Sequence, residues 1–337
     1  MKTLWSKSIA LILITSLVTG CASKALLEEE MHFPAEANQP FLTLEKVLRG
    51  GSTEHDGLFP RVKTMLFGAR TVDMLMRPVA LALDGDGRFY VADADAGKVL
   101  VFQMQGDRYD HIASFGGQEL QAPAGIVVWN DEILVSDGVA GTICRFSKTY
   151  EYLDVLEVRD VRRPGQLKVN PVNNELFIVD TPNHHVVSIN TEGQVTGKLV
   201  HKRTGDQLLG SPMAVDFSAD GHIIVLDGLS RRVEVFNSDY TYETGFGGYD
   251  RVPGSFSNPK GLAISSDGYI FISDAAFGNV QIFDQNGALL YFFGEIGKAK
   301  GEFLLPGSLT FDAKDQLYIM DQFNSRVQIF RYRAQGE

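Results

Sequence analysis

The stretch DGYIFISDAAFGNVQIF, residues 267–283, places Asp274 between a run of alternating apolar residues and a small glycine-containing loop. The same order of residues recurs as DGRFYVADADAGKVLVF (86–102), DEILVSDGVAGTICRF (131–146), NELFIVDTPNHHVVSI (174–189), DGHIIVLDGLSRRVEVF (220–236) and DQLYIMDQFNSRVQIF (315–330). In the six copies the acidic residue is Asp93, Asp137, Asp180, Asp227, Asp274 and Asp321. An apolar residue follows each at nine positions: Phe102, Phe146, Ile189, Phe236, Phe283 and Phe330. A proline stands 14 to 16 residues ahead of each (Pro78, Pro123, Pro164, Pro212, Pro259, Pro306), which gives a period in the range of solenoids and propellers. Sixfold repetition assigns the aspartates to structure: each is expected to end a strand and accept backbone hydrogen bonds from the following turn.

Each unit reads as four short strands. The proline opens the first ("PVALAL", "PKGLAI"), and a tight turn follows. Asp86-Gly87, Asp220-Gly221 and Asp267-Gly268 suit the positive φ angles of a type I′ hairpin, with Asn173-Asn174 as a substitute. The second strand runs into the aspartate, the third ends at the aromatic, and segments ending "ASFGG", "TGFGG" and "YFFGE" supply a fourth. Six such units describe an all-β, six-bladed β-propeller of four-stranded antiparallel blades. The last unit lacks its outer strand, whereas "FLTLEKVLRGG" (41–51) precedes the first proline without a partner. An N-terminal strand completing the last blade therefore closes the ring and removes a free edge.

Outside the repeats, residues 1–20 have charged Lys2 and Lys7 followed by an apolar stretch from Ile9 to Val18, the pattern of a secretory signal. That stretch is too short for a membrane-spanning helix. "VTGC" resembles the bacterial lipobox, which makes Cys21 the expected lipidated first residue of the mature chain. Residues 21–40 then read as a tether, and 41–334 as one propeller domain. Between closing strand and first blade, Val62, Met65, Leu66 and Ala69 fall at helical spacing after Pro60, so a short helix is expected within 59–76. Loss of Lys2 and Lys7 leaves 29 basic against 42 acidic residues, a net charge of −13. Such an acidic, exported chain is a poor match for nucleic acid, whose partners carry basic patches. With Cys21 lipidated, Cys144 is the one remaining thiol; it lies inside a third strand with no His or Lys directly beside it and reads as packing.

The units "GSFSNPKGLAISSDGYIFISDAAFGNVQIFDQNG" and "GEFLLPGSLTFDAKDQLYIMDQFNSRVQIF" resemble NHL repeats over roughly residues 77–332. The likeness includes a glycine-x-phenylalanine approach (Gly254, Phe256; Gly301, Phe303), the proline, the turn, the aspartate and a valine-x-x-phenylalanine strand. Blades two and three depart from it, with Asn130-Asp131 at one turn and Ile189 for the aromatic. With its lipobox and closing strand the chain is similar to bacterial NHL-repeat lipoproteins. That resemblance implies the fold but no activity.

Propellers of related type include a lyase with histidine-bound zinc and lactonases with acidic and amide ligands round a channel metal, so zinc or calcium belongs to an enzymatic alternative. A metal site needs three or more ligands converging. The second residues after the prolines (Ala80, Gly125, Gln166, Ala214, Gly261, Ser308) form no ligand ring. Two positions on, Lys168 and Asp216 sit on neighbouring blades and are expected to pair. Gln166, Lys168, Asp216 and Lys260 are the candidate channel-binding residues for a small molecule or glycan. The loops after the aspartates contribute Lys98, His184, His185, Arg231, Arg232, Asn279 and Arg326, a candidate basic arc on one face. His184 and His185 are adjacent and point opposite ways, which hinders joint chelation. The leading expectation is a monomeric, non-enzymatic scaffold or binding module that needs no cofactor. It is held by its lipid to the membrane, by preference the outer membrane on the periplasmic side, and takes envelope proteins as partners.

Overall fold

A computed structural model of the chain describes residues 31–34, 41–50, 73–105, 108–199, 209–249 and 252–334. The signal segment, Cys21 and residues 59–72 of the expected helix lie outside them.

Strand formation follows the repeat. The N-terminal strands are β1 (Met31–Phe33) and β2 (Leu42–Leu48). Blade one is β3 (Pro78–Leu83), β4 (Arg88–Asp93), β5 (Lys98–Gln105) and β6 (Arg108–Phe115). Blade two is β7 (Pro123–Trp129), β8 (Glu132–Asp137), β9 (Thr142–Ser147) and β10 (Tyr152–Val155). Blade three is β11 (Leu167–Val169), β12 (Leu176–Asp180), β13 (His185–Ile189) and β14 (Val195–Leu199). Blade four is β15 (Pro212–Phe217), β16 (Ile223–Asp227), β17 (Arg232–Phe236) and β18 (Tyr242–Gly247). Blade five is β19 (Pro259–Ile264), β20 (Ile270–Asp274), β21 (Asn279–Phe283) and β22 (Leu289–Phe293). Blade six has β23 (Pro306–Phe311), β24 (Gln316–Asp321) and β25 (Arg326–Tyr332). All pairings between consecutive strands are antiparallel, and the first strands stand side by side round the axis, with β23 against β3.

The ring closes as its ends require. β2 pairs with β25, matching Leu44 to Phe330 and Leu48 to Val327. The last sheet runs β1-β2-β25-β24-β23, so it holds five strands where four were expected. Residues 31–33, assigned above to the tether, form its outer edge. The reason is apolar contact: Phe33 packs on Phe293 and Phe330, with ring centroids 5.2 and 6.0 Å apart. Burying Leu42 and Leu48 contributes on the order of 1.5–3 kcal/mol each to holding the closing strand.

The core lies between blades. The residues nine after each aspartate, Phe102, Phe146, Ile189, Phe236, Phe283 and Phe330, are buried and pack against the facing sheet. The Asp-Gly turns differ from expectation. Gly87, Gly221 and Gly268 have positive φ, but the aspartates before them do not, so these are not type I′ turns. Ser218 and His222 pair across the turn, enclosing three residues, and Gly221 in the left-handed region completes the loop. Asn130-Asp131 is the pair with positive φ at both residues.

Candidate functional site

In five blades the first strand begins at the proline, level with the aspartate of the second, as in Pro259 opposite Asp274 and Pro78 opposite Asp93; in blade three it begins at Leu167, opposite Ile178. One rim of the disc, the proline face, thus carries the prolines, the aspartates and the loops after them. The opposite rim, the hairpin face, carries the turns between first and second strands.

The six aspartates are buried on the proline face. Asp274 accepts the backbone N–H of Ser257 (2.6 Å), Asn258 (3.1 Å), Ala276 (2.9 Å) and Phe277 (3.2 Å). Asp137 does the same for Gln121, Ala122, Val139 and Ala140, and Asp227 for Gly210, Ser211, Leu229 and Ser230. Each carboxylate ties the turn it begins to the approach to its own blade's proline. For Asp137, burial alone raises the pKa, and the four N–H donors outweigh it, leaving the carboxyl below its ordinary value. Asp321 departs from this pattern, taking the Leu304 N–H together with the side chains of Asn324, Arg326 and Gln328. Asp180 has the fewest partners of the six. It takes the Arg162 N–H and the Asn183 amide, and its Oδ1 has no hydrogen-bond partner among the described residues.

A bulge directs the next residue inward. The pairing of first to second strand shifts directly after the proline in β3, β7, β15, β19 and β23. The residues following the six prolines are Val79, Ala124, Gly165, Met213, Lys260 and Gly307, and all line one cavity of about 490 Å³ at the centre of the proline face. A bulge frees one residue from the ladder and re-aims its side chain. A cavity of about 690 Å³ opens on the hairpin face, where Asp84, Lys168, Asp312 and Lys314 are among the lining residues. Ala80, Gln166 and Ser308 line both cavities and so mark the channel between them.

The four channel candidates separate accordingly. Lys168 and Asp216 pair at 2.9 Å across blades three and four. Asp216 also accepts the N–H groups of Phe217 (2.9 Å) and Ile264 (3.2 Å), so this carboxylate joins blades three, four and five. Gln166 accepts the Val215 N–H through its side-chain oxygen at 2.6 Å. Lys260 lies on the proline face, away from the Lys168 mouth.

The expected basic arc is not assembled. Arg326 is buried; its guanidinium donates to Asp321 (2.6 Å) and to the carbonyls of Lys298, Ala299 and Glu302, pinning the loop before Pro306. His185 is buried at the start of β13, and His184 faces Gly210 O through Nδ1 at 2.6 Å. Lys98 pairs with Asp73 (2.7 Å) and Arg232 with Glu234 (3.0 Å), while Arg231 lies 4.2 Å from the ring of Tyr249. Among the described residues no three His, Cys, Asp or Glu side chains stand together as a metal-binding group. Cys144 is buried, and burial pushes its thiol pKa up.

The loops after the aspartates instead display apolar residues. Val139, Leu229 and Phe323 are 63%, 71% and 61% exposed, and Phe277 and Met76 project from the same face. Beside Phe277 a groove of about 480 Å³ runs past Tyr249, Val252 and Phe292, and the buried Oδ1 of Asn279 has no hydrogen-bond partner among the described residues. The sequence carries the signal for this annulus: an apolar residue two or three places after Asp137, Asp227, Asp274 and Asp321. One further cluster was not foreseen. Ser114 donates to Asp73 (2.6 Å) and lies 2.9 Å from His111 Nε2. With the hydroxyl proton directed at the carboxylate rather than the imidazole, this is not the order of a nucleophilic triad.

The sequence matches no family model and no curated protein. Solved structures share the fold. The chain is similar to a gluconolactonase from Xanthomonas campestris (TM-score 0.58, 16% identity, 86% of this chain and 98% of that one). It is also similar to a streptogramin B lyase (TM-score 0.57, 10% identity, 77% and 94%). A protein of unknown function from Bacteroides thetaiotaomicron aligns with TM-score 0.58 and 15% identity over 78% of this chain and 71% of that one. At these identities the likeness concerns the six-bladed propeller fold alone.

Proposed function

We propose that the chain is a non-enzymatic propeller module of the cell envelope that captures protein partners on its proline face. In this proposal the repeats are of NHL type, and Cys21 carries the lipid that anchors the chain in the outer membrane on the periplasmic side. One observation carries it: equivalent loops of blades two, four, five and six place Val139, Leu229, Phe277 and Phe323 in solvent on one face. Scattered exposed apolar residues need no explanation, but a set gathered on one rim beside a groove marks an interaction surface. The turns of the hairpin face are mainly charged, Asp86, Asp131, Asp220, Asp267 and Asp315 among them, with Val172 an isolated exposed apolar residue. Rigid blades hold the annulus in place without a folding step on binding, which lowers the cost of association.

Photo-cross-linking in growing cells tests this. A benzophenone amino acid at Leu229 or Phe323 should give discrete adducts, and one at Asp131 or Asp315 on the hairpin face should not. Adducts of equal yield from both faces, or survival of the Phe323 adduct in a Leu229→Glu/Phe277→Glu chain, would sink the assignment of the face. Anchoring is checked separately, since Cys21→Ser should move the chain from the membrane to the soluble fraction.

A further inference from the structure

The centre of the proline face holds a feature that partner capture does not use. Of the six residues that follow the repeat prolines and line its cavity, five are small or apolar: Val79, Ala124, Gly165, Met213 and Gly307. The sixth is Lys260. Five blades close without a cation here, so the bulge does not need one. The Lys260 ammonium is half-buried, and burial lowers its pKa, with the field of Asp274 opposing. Among the described residues it forms no hydrogen bond or ion pair, and the oxygens of Asp274 are occupied by four backbone N–H groups. A half-buried charge without a partner is costly unless something else meets it.

The rest of the cavity has the same sign. Arg163 lines it with its Nε on the uncharged Gly138 carbonyl (2.7 Å), while Arg77, also in the lining, is offset by its ion pair with Asp95 (2.7 Å). Gln166 gives its side-chain oxygen to Val215 N–H, which leaves its amide N–H donors as the hydrogen-bonding end. No carboxylate is among the described lining residues. The walls between these groups are Ala80, Ala124, Met213 and Ala214. The cavity volume of about 490 Å³ falls within the roughly 300–1,000 Å³ of small-molecule sites and exceeds what an inorganic ion fills.

We propose that this mouth binds a small organic anion, its carboxylate or phosphate oxygens set against Lys260 and the Gln166 amide and its carbon body against the apolar ring. Lys168 takes no part, because Asp216 neutralises it near the opposite mouth. The inference does not depend on partner capture, and a Leu229→Glu chain should bind the anion as the wild type does.

Calorimetry on the full-length protein in detergent at neutral pH tests it, with citrate, glucose 6-phosphate, inorganic phosphate and uncharged glucose as probes. At least one organic anion should bind one-to-one with a dissociation constant below about 1 mM, and glucose should not bind. Lys260→Met should weaken binding by about tenfold or more, and Lys260→Arg, which keeps the charge, by less than about threefold. The bound anion should slow acetylation of Lys260 by acetic anhydride by about fivefold, a readout that needs no variant. Absence of saturable binding by both organic anions up to about 10 mM overturns the proposal. So does binding that Lys260→Met leaves within about threefold of wild type.

Discussion

Replacing Asp274 by alanine removes the acceptor of four backbone N–H groups in one step, and the magnitude can be worked from that number. Each hydrogen bond to a backbone donor is worth about 1 kcal/mol net, more when the acceptor is charged, so Asp274→Ala should cost about 4 kcal/mol. Asp274→Asn keeps one acceptor oxygen and should cost about half as much. The repeat supplies internal controls. Asp137→Ala and Asp227→Ala also strip four N–H groups each and should fall beside Asp274→Ala. Asp180 receives one backbone N–H and one side-chain amide, and its second oxygen is buried without a partner, so Asp180→Ala should cost only about 1 kcal/mol. Urea unfolding followed by far-ultraviolet circular dichroism gives the order directly. If Asp180→Ala proved as damaging as Asp274→Ala, or Asp274→Ala cost under about 1 kcal/mol, the N–H ties would not be what these carboxylates supply.

Acid should act through the same groups. The Asp137 pKa is depressed on folding, so its contribution is complete above its unfolded value near 4 and is lost as pH falls through the lower folded value; a urea series from pH 5 downward should show Asp137→Asn losing less stability than wild type. Across the hairpin face, His222 is raised above its ordinary value, first by Asp220 and then by Glu243, each at 2.9 Å, and Asp220 is held down to about 2. Its pairing is complete below the unfolded histidine pKa and is lost as pH rises through the higher folded one, and NMR titration should show Glu243→Gln moving that midpoint down. For Lys168 and Asp216, a double-mutant cycle with Lys168→Met and Asp216→Asn should return a coupling of about 1–2 kcal/mol, because Asp216 is buried while Lys168 is part-exposed; a coupling near zero would mark the pair as incidental. Deleting residues up to 50 should leave β25 as a free edge, and size-exclusion chromatography should show association where the intact domain runs as a monomer.

Much of this molecule is legible in its sequence. Fixed spacing between proline, aspartate and aromatic defines the strands, because period-2 alternation and turn residues are local properties that each copy restates. Counting strands then determined the closure, since six repeats left one outer strand missing and one segment unpartnered. The pairing of Lys168 with Asp216 followed from equivalent positions on neighbouring blades. What escaped was set by contacts distant in sequence. "MHF" has too few residues to show a pattern, and its place in the last sheet depends on Phe293 and Phe330, about 260 to 300 positions away. Arg326 reads as a surface cation until the loop before Pro306 folds over it and offers three carbonyls. The bulge that turns Lys260 into the mouth has no residue signature, because it arises from how the first strand meets the second. Local periodicity determined the blades and their order. Only the closed ring decided which side chains face the channel, which cations find partners, and which apolar loops gather on one face, since those depend on the meeting of blades that the chain keeps far apart.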